Sequence, residues 1–196
     1  VVAEGGNGCL APGENVIVGP ESLRVLTTSH EPLTALLAES GDTSGAAAEV
    51  ARLAGRLDAH YPDHWPETQR ALIVHGARYT QAMKGSLPLP VRKRDIEVLL
   101  RRFGYGAISG RALYSTAQRP TLILQERITP YRRDGNDVRL NDINMHALPW
   151  PAAELVAVGG LDVELRVTLS YFIEPNPSRR GWHSKFRYQS HGLRFD

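Results

Sequence analysis

The sequence predicts an α/β chain ending in an appended antiparallel β-domain of sandwich or jelly-roll type. Two observations carry this. Apolar residues recur at helical spacing through residues 44–115, and from Pro120 onward the period falls to two. A third bounds it: 196 residues, 42% hydrophobic and 22% charged, describe a globular chain long enough for a sizeable core. The expected division is residues 1–115 as one domain and residues 116–196 as a small β-domain.

Residues 1–43 are punctuated by Gly and Pro, with short β-branched runs at Val16-Ile17-Val18 and Leu23-Arg24-Val25-Leu26. They hold too little apolar surface for a core and read as strands and loops lying against something else. Cys9 is the single cysteine, so an internal disulfide and a cysteine-based zinc site are excluded. It reads as a small buried or loop residue in a reducing, cytoplasmic setting. Gly5-Gly6-Asn7-Gly8 reads as a flexible turn, because no Lys-Ser/Thr pair follows to make a phosphate loop.

The helices come next. From Ser44 to Tyr61, Ala46, Val50, Leu53, Ala54 and Leu57 line one face, and Glu49, Arg52 and Arg56 mark the solvated one. So many alanines, with Gly55, imply close approach to a neighbour. Tyr61-Pro62-Asp63 ends this helix. Pro66 suits a first helical position, and Glu67 complements the helix dipole behind it. Ala71, Leu72, Ile73, Val74 and Ala77 make this second helix apolar on nearly all sides, hence buried. Leu87-Pro88-Leu89-Pro90 is a loop. Arg94–Phe103 is a third, amphipathic helix stopped by Gly104-Tyr105-Gly106.

In the tail, Val163, Leu165, Val167, Leu169 and Tyr171 alternate with Glu164, Arg166, Thr168 and Ser170, the pattern of a half-buried strand. Leu122–Ile128 and Asp137–Met145 are weaker strand candidates. Asn176-Pro177 and Arg180-Gly181 signal turns, and Lys185–Tyr188 and Leu193–Phe195 read as closing strands.

Several functions are excluded. A net charge of +2, with arginines dispersed among acids, argues against nucleic acid. No apolar run approaches the ~20 residues that span a bilayer. The chain starts at Val1 without a leader-like segment, as a fragment or processed product would. No cofactor or metal is expected. His60 and His64 share i, i+4 spacing, but Pro62 interrupts them and no His-Glu-x-x-His frame is present. His30, His60, His64 and His75 read as loop, capping or packing residues. Arg132-Arg133 and Arg179-Arg180 read as turn and surface charges, and Trp65, Trp150 and Trp182 as core or interface anchors.

The chemistry centres on Gly41-Asp42-Thr43-Ser44-Gly45-Ala46-Ala47-Ala48. Taken alone, Ser44 fits a helix cap as readily as a nucleophile. A serine opening a helix nevertheless has its own N–H free, sits at the positive dipole end, and has room beside Gly45 and Ala46 for a substrate backbone.

This segment, continued by Glu49-Val50-Ala51, resembles the active-site serine element of the subtilases, Gly-Thr-Ser-x-Ala-(small)-Pro-x-Val-Ala. Upstream, Ala11-Pro12-Gly13 with Val16 is similar to the family's Ala-Pro-Gly element, here followed by a longer loop. Downstream, Tyr61-Pro62-Asp63, Pro66-Glu67-Thr68 and Arg70-Ala71-Leu72-Ile73-Val74-His75-Gly76-Ala77 resemble the next subtilase helix. Leu169–Pro177 and Ser190–Phe195 are similar to a bacterial branch often encoded beside an AAA-type ATPase. Asp42 stands where the family has glycine, Ala48 where it has proline, and Glu49 where it has histidine.

The resemblance implies the C-terminal portion of a subtilisin-like parallel-sheet domain, with only the edge of that sheet present. It implies a serine endopeptidase acting on peptide or protein substrates, with Ser44 as nucleophile and its backbone N–H as oxyanion donor. Subtilases order their triad Asp, His, Ser. The aspartate, histidine and oxyanion asparagine are therefore expected upstream of this chain, which alone is inactive. An AAA-type ATPase is an implied partner. The alternative is a catalytically degenerate relative acting as a binding or scaffold module.

Overall fold

The strongest sequence signals become the best-packed elements. The structure, a computed structural model, describes residues 1–13, 15, 17–85, 87, 92–116, 120–129, 131–141, 144–173 and 175. Helix α1 runs Thr43–His60, α2 Pro66–Gly76, α3 Gln81–Lys84 and α4 Lys93–Phe103. Pro66 opens α2 with Glu67 in its first turn. Buried Thr68, Leu72, Ile73 and Gly76 make α2 the interior helix its composition predicts. The core gathers Leu53 and Leu57 of α1 with Leu72, Ile73, Ala77, Leu99 of α4, and Leu113. Tyr61 closes α1 and donates its hydroxyl to the Leu113 carbonyl at 2.8 Å, tying the helix end to this core.

Gly104 and Gly106, both at positive φ, turn the chain after α4. A Cβ on Gly106 would fall 2.5 Å from the Arg78 carbonyl carbon, so only glycine allows residues 106–108 to run this close to Arg78. Ala107 bridges Arg78 antiparallel and Val2 parallel. The amino-terminal segment is anchored there, with Val2 N–H donating to the Gly106 carbonyl at 2.9 Å.

Strands are short and antiparallel. Cys9–Leu10 (β1) pairs Ile17–Val18 (β2), and Val25–Thr28 (β3) pairs Leu37–Ser40 (β4). Tyr131–Asp134 (β5) pairs Asp137–Leu140 (β6) around Gly135 at φ +62°. The chain is thus a mixed α/β protein of helices and two-stranded antiparallel sheets. Among the described residues there is no parallel sheet beyond the single Val2–Ala107 bridge, and no sandwich. Cys9 is exposed on its strand. No helix among the described residues is long and apolar enough to cross a membrane.

Contacts divide the chain into two units. One comprises Val1–Thr121 with the described residues from Thr168; the other is Leu122–Val167. In the first, α2 holds the returning chain: Arg70 Nε donates to Ser170 Oγ at 2.9 Å, its guanidinium also reaches the Tyr171 carbonyl, and it stacks 3.9 Å from the Phe172 ring centroid. In the second, β5, β6 and an unanticipated helix, α5 (Ala152–Val158), are the regular elements. Pro151 before the Ala-Ala-Glu-Leu run and Gly159 after it, at φ +66°, bracket α5 in the way helix ends favour. Leu122–Ile128 and Val163–Tyr171 form no strand ladder; of Asp137–Met145, only Asp137–Leu140 does. Alternation alone does not make a strand, since its backbone groups need a neighbour that period two does not supply. The Leu87–Pro90 loop is described only at Leu87. Val16, Asn176-Pro177, Arg179, Arg180, Trp182, Lys185–Tyr188 and Ser190–Phe195 lie outside the described residues.

Candidate active site

Ser44 is the second residue of α1 and is exposed. The helix N-cap is Asp42, with extended backbone (φ −136°, ψ 171°) and no capping bond from its side chain. Capping therefore does not account for Ser44. The Asp42 carbonyl accepts from Gly45 N–H at 3.2 Å, and among the described residues no backbone acceptor meets the Ser44 N–H. An exposed hydroxyl and an unpaired N–H thus sit together at the positive end of an 18-residue helix, where developing negative charge is stabilised.

The turn carrying them is held by the glycine run read as merely flexible. A Cβ on Gly5 would lie 2.8 Å from the Asp42 carbonyl oxygen and 3.3 Å from Ala46 Cβ. One on Gly6, at φ +84°, would lie 2.9 Å from Gly41 Cα. Residues 5 and 6 therefore press their bare backbone against the serine turn. Asn7 follows, pinned by its N–H to the Leu23 carbonyl at 2.7 Å. Its Oδ1 accepts from Gly8 N–H at 2.9 Å, and its Nδ2 has no acceptor among the described residues. The signal that could have found this is an asparagine set among glycines, where close backbone approach is possible.

Asp42, whose charge would oppose an oxyanion, forms no ion pair among the described residues. Arg24 runs beside Gly41 but donates Nε to the Gly19 carbonyl at 2.8 Å instead. Ser44 continues a line of exposed small residues along α1, Ala47, Ala48, Ala51 and Gly55. A Cβ on Gly55 would meet nothing within 4 Å, so the close neighbour expected there is not among the described residues.

No described histidine contacts Ser44. His60 lies sixteen residues further along α1, about 24 Å by helical rise, edge-on to Tyr61 and Tyr114. His64 stacks on Tyr61 with ring centroids 5.0 Å apart. His75 Nδ1 meets Thr168 Oγ1 at 3.0 Å, His30 pairs with Glu31 at 3.7 Å, and His146 with Glu126 at 3.0 Å. Among the described residues no cluster of His, Cys, Asp or Glu is placed to hold a metal ion. A cavity of about 400 Å³, lined by Val2, Glu4, Glu49, Met83 and Ile108 among others, does not include Ser44. Arg52 hydrogen-bonds Glu49 one turn away and holds its carboxyl below the usual range.

Comparison with known proteins adds one finding. The profile of the Subtilase family matches residues 1–106, a stretch that includes the glycine run, the serine turn and helices α1, α2 and α4. No curated protein and no solved structure matches the chain.

Proposed function

The chain belongs to the subtilase family, and on that premise we propose that it is the C-terminal portion of a subtilisin-like serine endopeptidase. In this reading residues 1–115 belong to the catalytic domain, whose parallel sheet is completed upstream. Ser44 Oγ attacks the scissile carbonyl, and water hydrolyses the resulting acyl-enzyme. The observation that carries it is the exposed Ser44, just inside the start of α1, whose N–H meets no acceptor among the described residues.

The base and its orienting carboxylate come from sequence upstream of Val1. Two features support that division: no described histidine meets Ser44, and the small-residue face of α1 that carries it is uncovered. For the second oxyanion donor, Asn7 Nδ2 is a better candidate than an upstream asparagine, because Gly5 and Gly6 already bring that segment against the serine turn.

Peptide hydrolysis by the full gene product tests this. Ser44→Ala abolishes turnover, and Asn7→Ala lowers kcat by about 10²–10³-fold with KM little changed, as removal of one oxyanion donor does. The 196 residues alone give no Ser44-dependent turnover. Unchanged kcat in Asn7→Ala returns the donor to the upstream sequence; turnover surviving in Ser44→Ala removes the nucleophile.

A further inference from the structure

Exposed Arg24 lies in a slot made by two glycines beside the serine turn. A Cβ on Gly19 would fall 2.8 Å from both Arg24 Nε and Nη2, so a side chain there would displace the guanidinium. One on Gly41 would meet Arg24 Cγ, Nε and Cζ at 3.7, 3.8 and 3.9 Å. The arginine stem and its charged end therefore run alongside the bare backbone of residue 41. Nε donates to the Gly19 carbonyl at 2.8 Å, which fixes the orientation of the planar group. Its terminal N–H groups meet no acceptor among the described residues. Glu21, Glu39 and Asp42 are close to the slot in sequence, and none of them is its ion-pair partner. A guanidinium held at one N–H and open at the others is arranged to take a carboxylate through two parallel bonds.

The slot adjoins the groups that carry the reaction in the peptidase reading. Gly41 is three residues before Ser44, a span of at most about 11 Å. Gly6, whose Cβ would lie 2.9 Å from Gly41 Cα, immediately precedes Asn7. Asn7 N–H is in turn bonded at 2.7 Å to the carbonyl of Leu23, the residue before Arg24. Arg24, Asn7 and Ser44 are thus mounted on one backbone junction. A peptide carbonyl attacked by Ser44 and held by Asn7 must send its flanking residues past that junction. Extended chain covers about 11 Å in roughly three to four residues. We propose that Arg24 is a specificity residue, holding a substrate carboxylate within about four residues of the scissile bond. This rests on the peptidase reading above and adds a substrate class to it: polypeptides with an acidic side chain or a free carboxyl terminus near the cleavage point. Asp42 beside Gly41 works against such a carboxylate and limits the size of the preference.

The test uses the full gene product as parent, Arg24→Gln and Arg24→Lys. Cleavage is followed on amidated peptides carrying Glu or Gln at one position at a time, and on Gln peptides ending in a free carboxylate. Binding of the same peptides, fluorescein-labelled, is followed separately in the Ser44→Ala background. The parent is expected to favour the carboxylate form at one position, in kcat/KM and in affinity, by about three- to tenfold, as an exposed pair of good geometry does. The preference falls as salt rises. Arg24→Gln brings the ratio of carboxylate to Gln peptide close to one, and Arg24→Lys, which keeps the charge but not the paired bonds, retains part of it. The amidated and free-terminus peptides tell whether side chain or chain end supplies the carboxylate. Equal rates for Glu, Gln and free-terminus peptides in the parent, the result if another part of the gene product occupies Arg24, overturn the inference while the peptidase reading stands. So does a preference that survives in Arg24→Gln, whatever the overall rate. Carboxylate-dependent binding that Arg24→Gln removes, without Ser44-dependent cleavage, keeps the role of Arg24 and removes the peptidase reading. Neither cleavage nor carboxylate-dependent binding overturns both.

Discussion

The stretch from Thr43 to Leu113 holds a buried apolar core, with Ile96, Val98 and Leu100 left outward on α4, whereas Leu122–Val167 buries none of its described apolar side chains fully. Leu53, Leu57, Leu72, Ile73, Ala77, Leu99 and Leu113 are all buried in the first. In the second, Leu124, Val138, Val156, Leu161 and Leu165 are all exposed, and no described residue is buried. Both stretches carry a clear hydrophobic period. The difference lies in what each period can complete. A helix closes its hydrogen bonds within itself, so α1 and α2 need only one neighbour for their apolar stripes. An alternating segment such as Val163–Tyr171 needs a ladder partner from elsewhere before its apolar face can become a core.

The contrast can be broken most directly by matched truncations. Leu57 is fully buried, so Leu57→Ala is expected to destabilise by about 2–5 kcal/mol, through lost transfer energy and the cavity left behind. Leu165 is 60% exposed, and Leu165→Ala is expected to stay within about 0.5 kcal/mol. Urea unfolding of the full gene product, followed by circular dichroism, checks both. Equal costs would mean that Leu165 is covered by some other part of the molecule and that the difference between the regions is not one of burial.

A smaller effect sharpens the same comparison on the polar side of α1. Arg52 holds the Glu49 carboxyl below its ordinary range, so the pair stabilises at neutral pH. That contribution is present above the unfolded carboxylate's range and is lost as pH falls through the lowered folded value. Both partners are solvent-facing and joined one turn apart, where such pairs contribute little. Glu49→Gln is therefore expected to lower the thermal midpoint slightly at pH 7 and to match the parent under acid. A large loss at pH 7 would show that Glu49 supports the packing around Val2 and Met83, which line the same cavity.

Legibility in the sequence followed the same divide. Pro66, Glu67 and Gly104 fixed helix ends that the structure reproduces, because capping and φ restrictions are local. Some of the remaining features depend on contacts between distant residues. The packing of Gly5 and Gly6 on the Asp42–Ala46 turn leaves no periodic trace in the sequence, and Asn7 belongs to the same run. Helix α5 has readable ends in Pro151 and Gly159, but seven residues make too short a window for a helical period to stand out. At the site, the serine element was legible as a motif. Asp42 as the N-cap was not, since aspartate and serine are about equally favoured there and only the backbone angles decide between them.

Ser44 stands at the second position of α1, and the proposal is that its hydroxyl is a nucleophile there. A fluorophosphonate probe, incubated with the full gene product and followed by peptide mapping, tests it most directly. One covalent adduct is expected on the peptide containing Ser44, absent in Ser44→Ala and absent when the 196-residue chain is treated alone. Equal labelling of parent and Ser44→Ala, or an adduct mapping to another residue, would contradict it.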